Sequence, residues 1–114
     1  MNIMNKELLK RWVAALRSGE YKQGTEVLCD YDEDGNAVGF CCLGVLQNIE
    51  PGIEQADNGE ELLDEVSLRQ FLGVNDGDGF DQRQYAKLND DLMPFPEIAD
   101  RLEKQWLNNE EDKS

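Results

Sequence analysis

Histidine is absent from the 114 residues. That removes Ser-His-Asp and Cys-His catalytic arrangements and the metal sites that rely on imidazole. Positive charge is scarce. Eleven Lys and Arg stand against twenty-five Asp and Glu, for a formal net charge of −14. Affinity for DNA, RNA and anionic membranes comes largely from cations that neutralise phosphates, so direct binding to any of them is not expected. Long apolar runs are missing too. The longest, Ala37 to Leu46 with its two glycines counted, spans ten positions, where a membrane helix needs about 20. Met1 to Glu7 shows no apolar stretch and no small-residue cleavage site, so no signal peptide is expected. The three cysteines, Cys29, Cys41 and Cys42, are odd in number and two are adjacent. A secreted disulfide scaffold has an even count with open spacing, so the expectation is free thiols in a cytoplasmic compartment.

What is present fits one domain. A chain of this length buries roughly two thirds of the surface that its unfolded form exposes, enough for a single core. Residues 1–108 are expected to form that domain, with 109–114 as a frayed acidic tail. Charge is uneven along it. Residues 1–24 carry five bases and two acids, and residues 25–66 carry twelve acids and no base. No positive side chain occurs between Lys22 and Arg69.

The apolar pattern predicts an α+β fold, a small antiparallel hairpin packed on four or five helices. Leu8, Leu9, Trp12, Val13 and Leu16 mark the buried stripe of a first helix. Asn5 is placed to cap it, Ser18-Gly19 to stop it, and Glu7 to pair with Arg11. Over 25–42, Val27, Cys29 and Tyr31 alternate with polar neighbours, as do Val38, Phe40 and Cys42 on the return. The Asp34-Gly35 step between them signals a turn. A second helix is expected from about Cys42 to Pro51-Gly52, and a short one over Val66–Leu72 stopped by Gly73. Asn75 to Gly79 reads as a loop. Further helices are expected near 80–90 and 96–108, with Pro96 in the first turn of the last. Residues 53–66 fit no single pattern. Trp12, Leu16, Leu43, Leu46, Leu72, Leu88, Ile98 and Leu102 should share one core, and Trp106 should be buried with the last helix.

Asp30, Asp32 and Asp34 followed by Gly35 resemble the first half of a calcium loop. Its twelfth position here is Cys41, a soft ligand, and the flanks are strands where helices are needed, so an acidic hairpin tip is the better reading. Cys41-Cys42 lacks a base to activate it and lacks C-x-x-C spacing, and it sits in the most apolar run, which favours core packing. Tyr85–Asp90 through Pro96–Leu102 resembles the opening of a helix-turn-helix, but Asn108 to Ser114 cannot supply a recognition helix. Lys6, Lys10 and Arg17 read as a solvated helix face that also offsets the acidic half.

Four stretches carry a resemblance. They are Trp12 to Gln23 (W-x-x-A-L-R-S-G-x-Y-x-Q), Phe40 to Leu46 (F-C-C-L-G-V-L), Leu88-Asn89-Asp90, and Phe95 to Glu103 (F-x-E-I-A). Their order and spacing resemble a group of small bacteriophage proteins. The resemblance implies a phage origin and an infected bacterial host, and it carries over no activity and no catalytic residue. This chain departs from the pattern at Pro94-Phe95-Pro96, where the group has a Ser or Thr cap, and in its acidic 25–66 segment.

Two functions are compatible with these features. The first is a non-enzymatic inhibitor of a host defence or nucleic-acid-processing protein. It would bind a basic surface through Asp30, Asp32, Glu33, Asp34, Glu60, Glu61, Asp64 and Glu65 in place of phosphates. The second is a binder of a small nucleotide signal that uses Arg17, Tyr21, Gln23, Asn89 and Asp90. No cofactor, metal or catalytic residue is expected in either case, and the acids also serve solubility.

Overall fold

Asn5 begins helix α1, Lys6–Arg17, as its sequence suggests: its side-chain oxygen accepts from the Leu8 amide at 3.1 Å. Its own amide groups donate to Leu72 O and Phe71 O, so the cap also ties the start of α1 to a later helix. Gly19 takes a φ of +78° just past the helix, the left-handed geometry that Gly tolerates without strain. The computed structural model describes residues 5–24, 28–55, 62–74 and 80–107. The expected Asn75–Gly79 loop, the tail at 109–114, and Glu60 and Glu61 lie outside the described residues.

After α1 come strands β1, Cys29–Tyr31, and β2, Ala37–Phe40, then helices α2, Cys42–Ile49, and α3, Glu65–Leu72. Helix α4, Gln82–Asp90, and helix α5, Phe95–Leu102, follow, and α5 runs into a π-helical turn over Glu103–Leu107. The fold is therefore α+β, with an antiparallel hairpin among five α-helices in the described residues. Among the described residues no helix is long and apolar enough to cross a membrane.

The core gathers one stripe from each helix. Leu8, Leu9, Trp12, Val13 and Leu16 of α1 meet Leu43, Val45 and Leu46 of α2, Leu68 and Leu72 of α3, and Ile98 and Leu102 of α5. The expected core holds except at Leu88, which is half-buried at its edge. Trp106 is also half-buried, because the π turn carries it over Phe80, with ring centroids 5.6 Å apart, and not beneath the bundle.

Three further expectations are corrected. The strands are shorter than the alternation implied, and a bulge between Asp30 and Tyr31 shifts the register so that Tyr31 faces Ala37. Gly39 is then the buried residue of β2 and Val38 is exposed. Gly39 is small because the Gly24 backbone crosses it: a Cβ on Gly39 would lie 3.3 Å from Gly24 Cα. Residues 22–24 run along the far side of β2, with Phe40 N donating to Lys22 O and Gly24 N donating to Phe40 O. Arg11 does not pair with Glu7. It crosses to the C-terminal end of α2, where its guanidinium donates to Ile49 O at 2.7 Å and lies 3.6 Å from Glu50, an end that favours cations.

Candidate functional site

At the hairpin tip, Asp32 works for the turn. Its Oδ1 accepts from the amides of Asp34 and Asn36, both at 2.9 Å, and its carbonyl accepts from Gly35 N. The Asn36 amide above all holds the Asp32 carboxyl below the usual range. Gly35 closes the turn at a φ of +85°. The other three acids are different. Asp30, Glu33 and Asp34 are exposed, and among the described residues no basic side chain lies within ion-pair distance of them.

On the same hairpin as these acids Tyr31 and Val38 are exposed, as Val66 and Leu92 are elsewhere on the surface. Between the hairpin and α2 a groove of about 520 Å³ opens, lined by Tyr31, Asn36, Phe40, Gln47, Asn48 and Pro51 among others. The sequence did not mark Tyr31 as exposed, because plain alternation placed it with Cys29 on one strand face. Only the bulge, which has no signature in this stretch, would have shown it.

In the second half of the expected acidic face, the two described residues, Asp64 and Glu65, are already engaged. Asp64 caps α3, accepting from Ser67 N at 3.0 Å. Glu65 pairs with Arg69 at 3.0 Å, one helical turn on, and accepts from Gln82. Glu60 and Glu61 lie outside the described residues; among the described members of the expected set, the carboxylates without a partner are those of Asp30, Glu33 and Asp34 on the hairpin.

The expected ligand set is split among three places. Arg17 reaches α5 and its extension, 2.6 Å from Asp100 and 3.0 Å from Glu103, which raises its own pKa and lowers that of Glu103. Tyr21 packs edge-on against Phe40, and its hydroxyl accepts from Asn48 at 2.8 Å. Gln23 and Asn89 do meet, inside the fold. Asn89 is fully buried; its Oδ1 accepts from Gln23 Nε2 and from Cys42 N, and its Nδ2 donates to Gly24 O at 2.7 Å. Gln23 also donates to Met93 O at 2.7 Å. Asp90 is exposed beside it. Gln23 and Asn89 thus join the 22–24 segment to α2 and α4, and among the described residues no buried polar side-chain atom is left without a partner.

The thiols pack. Cys41 caps α2, with its sulfur accepting from Gly44 N at 3.4 Å, and burial pushes it up to about 11. Cys42 is fully buried and donates to Tyr85 O, and burial pushes it well above the usual thiol range. Both therefore stay protonated near neutral pH, the opposite of an activated nucleophile. All three cysteines are unbridged. Among the described residues, no three Cys, Asp or Glu side chains converge to hold a metal ion.

A family described as a domain of unknown function (DUF8296) matches residues 4–66, more than half of the chain. No curated protein and no solved structure matches it. The matched span runs from the start of α1 to the start of α3, so it takes in the hairpin and its groove.

Proposed function

We propose that this chain, which belongs to the DUF8296 family, is a non-enzymatic, phage-encoded inhibitor that binds a basic surface of a host protein through its hairpin. The observation that carries the reading is the pairing of two features on one small projection. Among the described residues Asp30, Glu33 and Asp34 have no cation within ion-pair distance, and Tyr31 and Val38 are exposed on the same hairpin, Tyr31 lining the groove. Unpaired acids steer encounter with a basic surface, and an aromatic side chain at the centre of a charged rim is the usual anchor of a protein interface.

The natural target is a host protein whose basic surface normally meets nucleic acid, since the carboxylates would stand where phosphates do. The site of action would be the cytoplasm of the infected cell. Enzymatic chemistry finds no support in Cys41 and Cys42, which are buried and protonated.

The test is comparative capture from host lysate with the wild-type chain, a D30N/E33Q/D34N variant and a Y31A variant. The reading expects a protein retained by the wild type and lost by both variants. If every retained protein is kept equally by the variants, the hairpin is not the binding surface.

A further inference from the structure

The furrow between α4 and the end of the chain's last described helix carries the opposite charge. It has a volume of about 300 Å³ and is lined by Gln84, Tyr85, Leu88, Arg101, Lys104 and Gln105. Arg101 and Lys104 lie three residues apart, neighbours on one helical wall. Elsewhere in this acid-rich chain Arg11, Arg17, Arg69 and Lys87 each sit 3.6 Å or less from a carboxylate, while Lys10, Lys22 and Arg83 have no such partner among the described residues. Among the described residues, Arg101 and Lys104 have no such partner, and both face the same hollow.

The wall that carries them is held by an unusual piece of backbone. Successive residues of an α-helix point about 100° apart, yet Gln105 and Trp106 both reach Tyr85. The Tyr85 hydroxyl donates to Gln105 Oε1 at 2.6 Å and accepts from Trp106 Nε1 at 2.8 Å. The wider π turn over Glu103–Leu107 permits this, and such turns recur where side chains are re-aimed for a site. Burial pushes Tyr85 up to about 12, so its hydroxyl keeps the proton it gives to Gln105.

We infer that this furrow binds the phosphoryl group of a small phosphorylated ligand, gripped by Arg101 and Lys104 on one wall with Gln84 facing them. Two neighbouring cations in a furrow lined by no carboxylate match a multiply charged oxyanion better than a single carboxylate. The hollow is small, and the surrounding charge of −14 repels an extended polyanion, so a nucleic-acid strand is excluded while a compact anion is not. This site is separate from the hairpin and stands or falls independently of it.

The test is calorimetric titration of the wild-type chain with inorganic phosphate, pyrophosphate and ATP, which distinguishes a bare phosphate from a phosphorylated nucleoside. At least one is expected to bind saturably. R101Q and K104Q should each weaken it about tenfold, the effect of losing one charge-assisted hydrogen bond, and a K10Q control should leave it unchanged. Amide shift changes in the wild-type chain should centre on Gln84, Arg101 and Lys104. Three results overturn the inference: no saturable binding at millimolar concentration, equal weakening in K10Q, or shift changes centred elsewhere.

Discussion

The carbonyl oxygen of Leu28 occupies the place where a side chain on Gly44 would begin: a Cβ built there would lie 1.7 Å from it. The same oxygen accepts from Cys41 N at 3.2 Å, so the segment before β1 is seated directly on the first turn of α2. This explains the glycine inside an otherwise apolar helix. An alanine there would gain about 1 kcal/mol of helix propensity and force two backbones apart. G44A is expected to lose about 3 kcal/mol net, at the upper end for overpacking, read as a fall in the urea midpoint. A raised midpoint would show that the two segments are not seated this way.

Asn89 is the second buried junction. Replacing it with Ala strands the Cys42 amide, the Gly24 carbonyl and the Gln23 side chain away from water, at a cost of about 1–3 kcal/mol for a single unsatisfied group. N89A is expected to destabilise by about 3 kcal/mol or more. N89D sets a buried, unpaired carboxylate against the Gly24 carbonyl and should cost at least as much at neutral pH. Denaturant unfolding of the three proteins gives the order directly.

The helices were legible because each is short, capped and periodic. Asn5, Gly19 and Gly73 mark helix ends, and the stripe on α1 fixes its buried face. The last helix was read as one piece, since nothing in Glu103–Leu107 distinguishes a π turn from an α turn. The site was less legible. Asp32 and Asp64 look like surface charge in sequence, yet each satisfies backbone amides that appear only once the chain has turned. Gln23 and Asn89 look like ligand contacts for the opposite reason: polar side chains 66 residues apart give no hint that they are partners.

Burial of two thiols sets a chemical pattern. Near pH 8, iodoacetamide should modify Cys29, which is half-buried on the hairpin, and leave Cys41 and Cys42 intact until the chain unfolds. Because the folded thiol pKa is raised, the stabilisation is full below the ordinary value of 9.0 and is lost as pH rises through about 11 for Cys41. Mass spectrometry after timed alkylation counts the sites. Rapid native labelling of Cys42 would contradict its place in the core.

Acid should release the tie between α1 and the end of the chain. Arg17 holds the Glu103 carboxyl below its ordinary value of 4.5, so this contribution is present above that pH and fades as pH falls through the lower folded value. The pair is exposed and its effect is small. The stability gap between wild type and R17Q should stay constant from neutral pH to near 4.5 and close below it. Denaturant midpoints across that range measure it, and a gap that widens in acid would contradict the pairing.

The most direct test of the hairpin reading is the association rate with a captured host partner, measured across a several-fold rise in salt for the wild type and for D30N/E33Q/D34N. Screening shortens to a few ångströms at molar salt, so an encounter steered by unpaired carboxylates must slow. The expected result is a wild-type rate that falls about tenfold and a variant that starts low and barely responds. Equal rates and equal salt dependence in the two proteins would contradict the claim that Asp30, Glu33 and Asp34 guide binding.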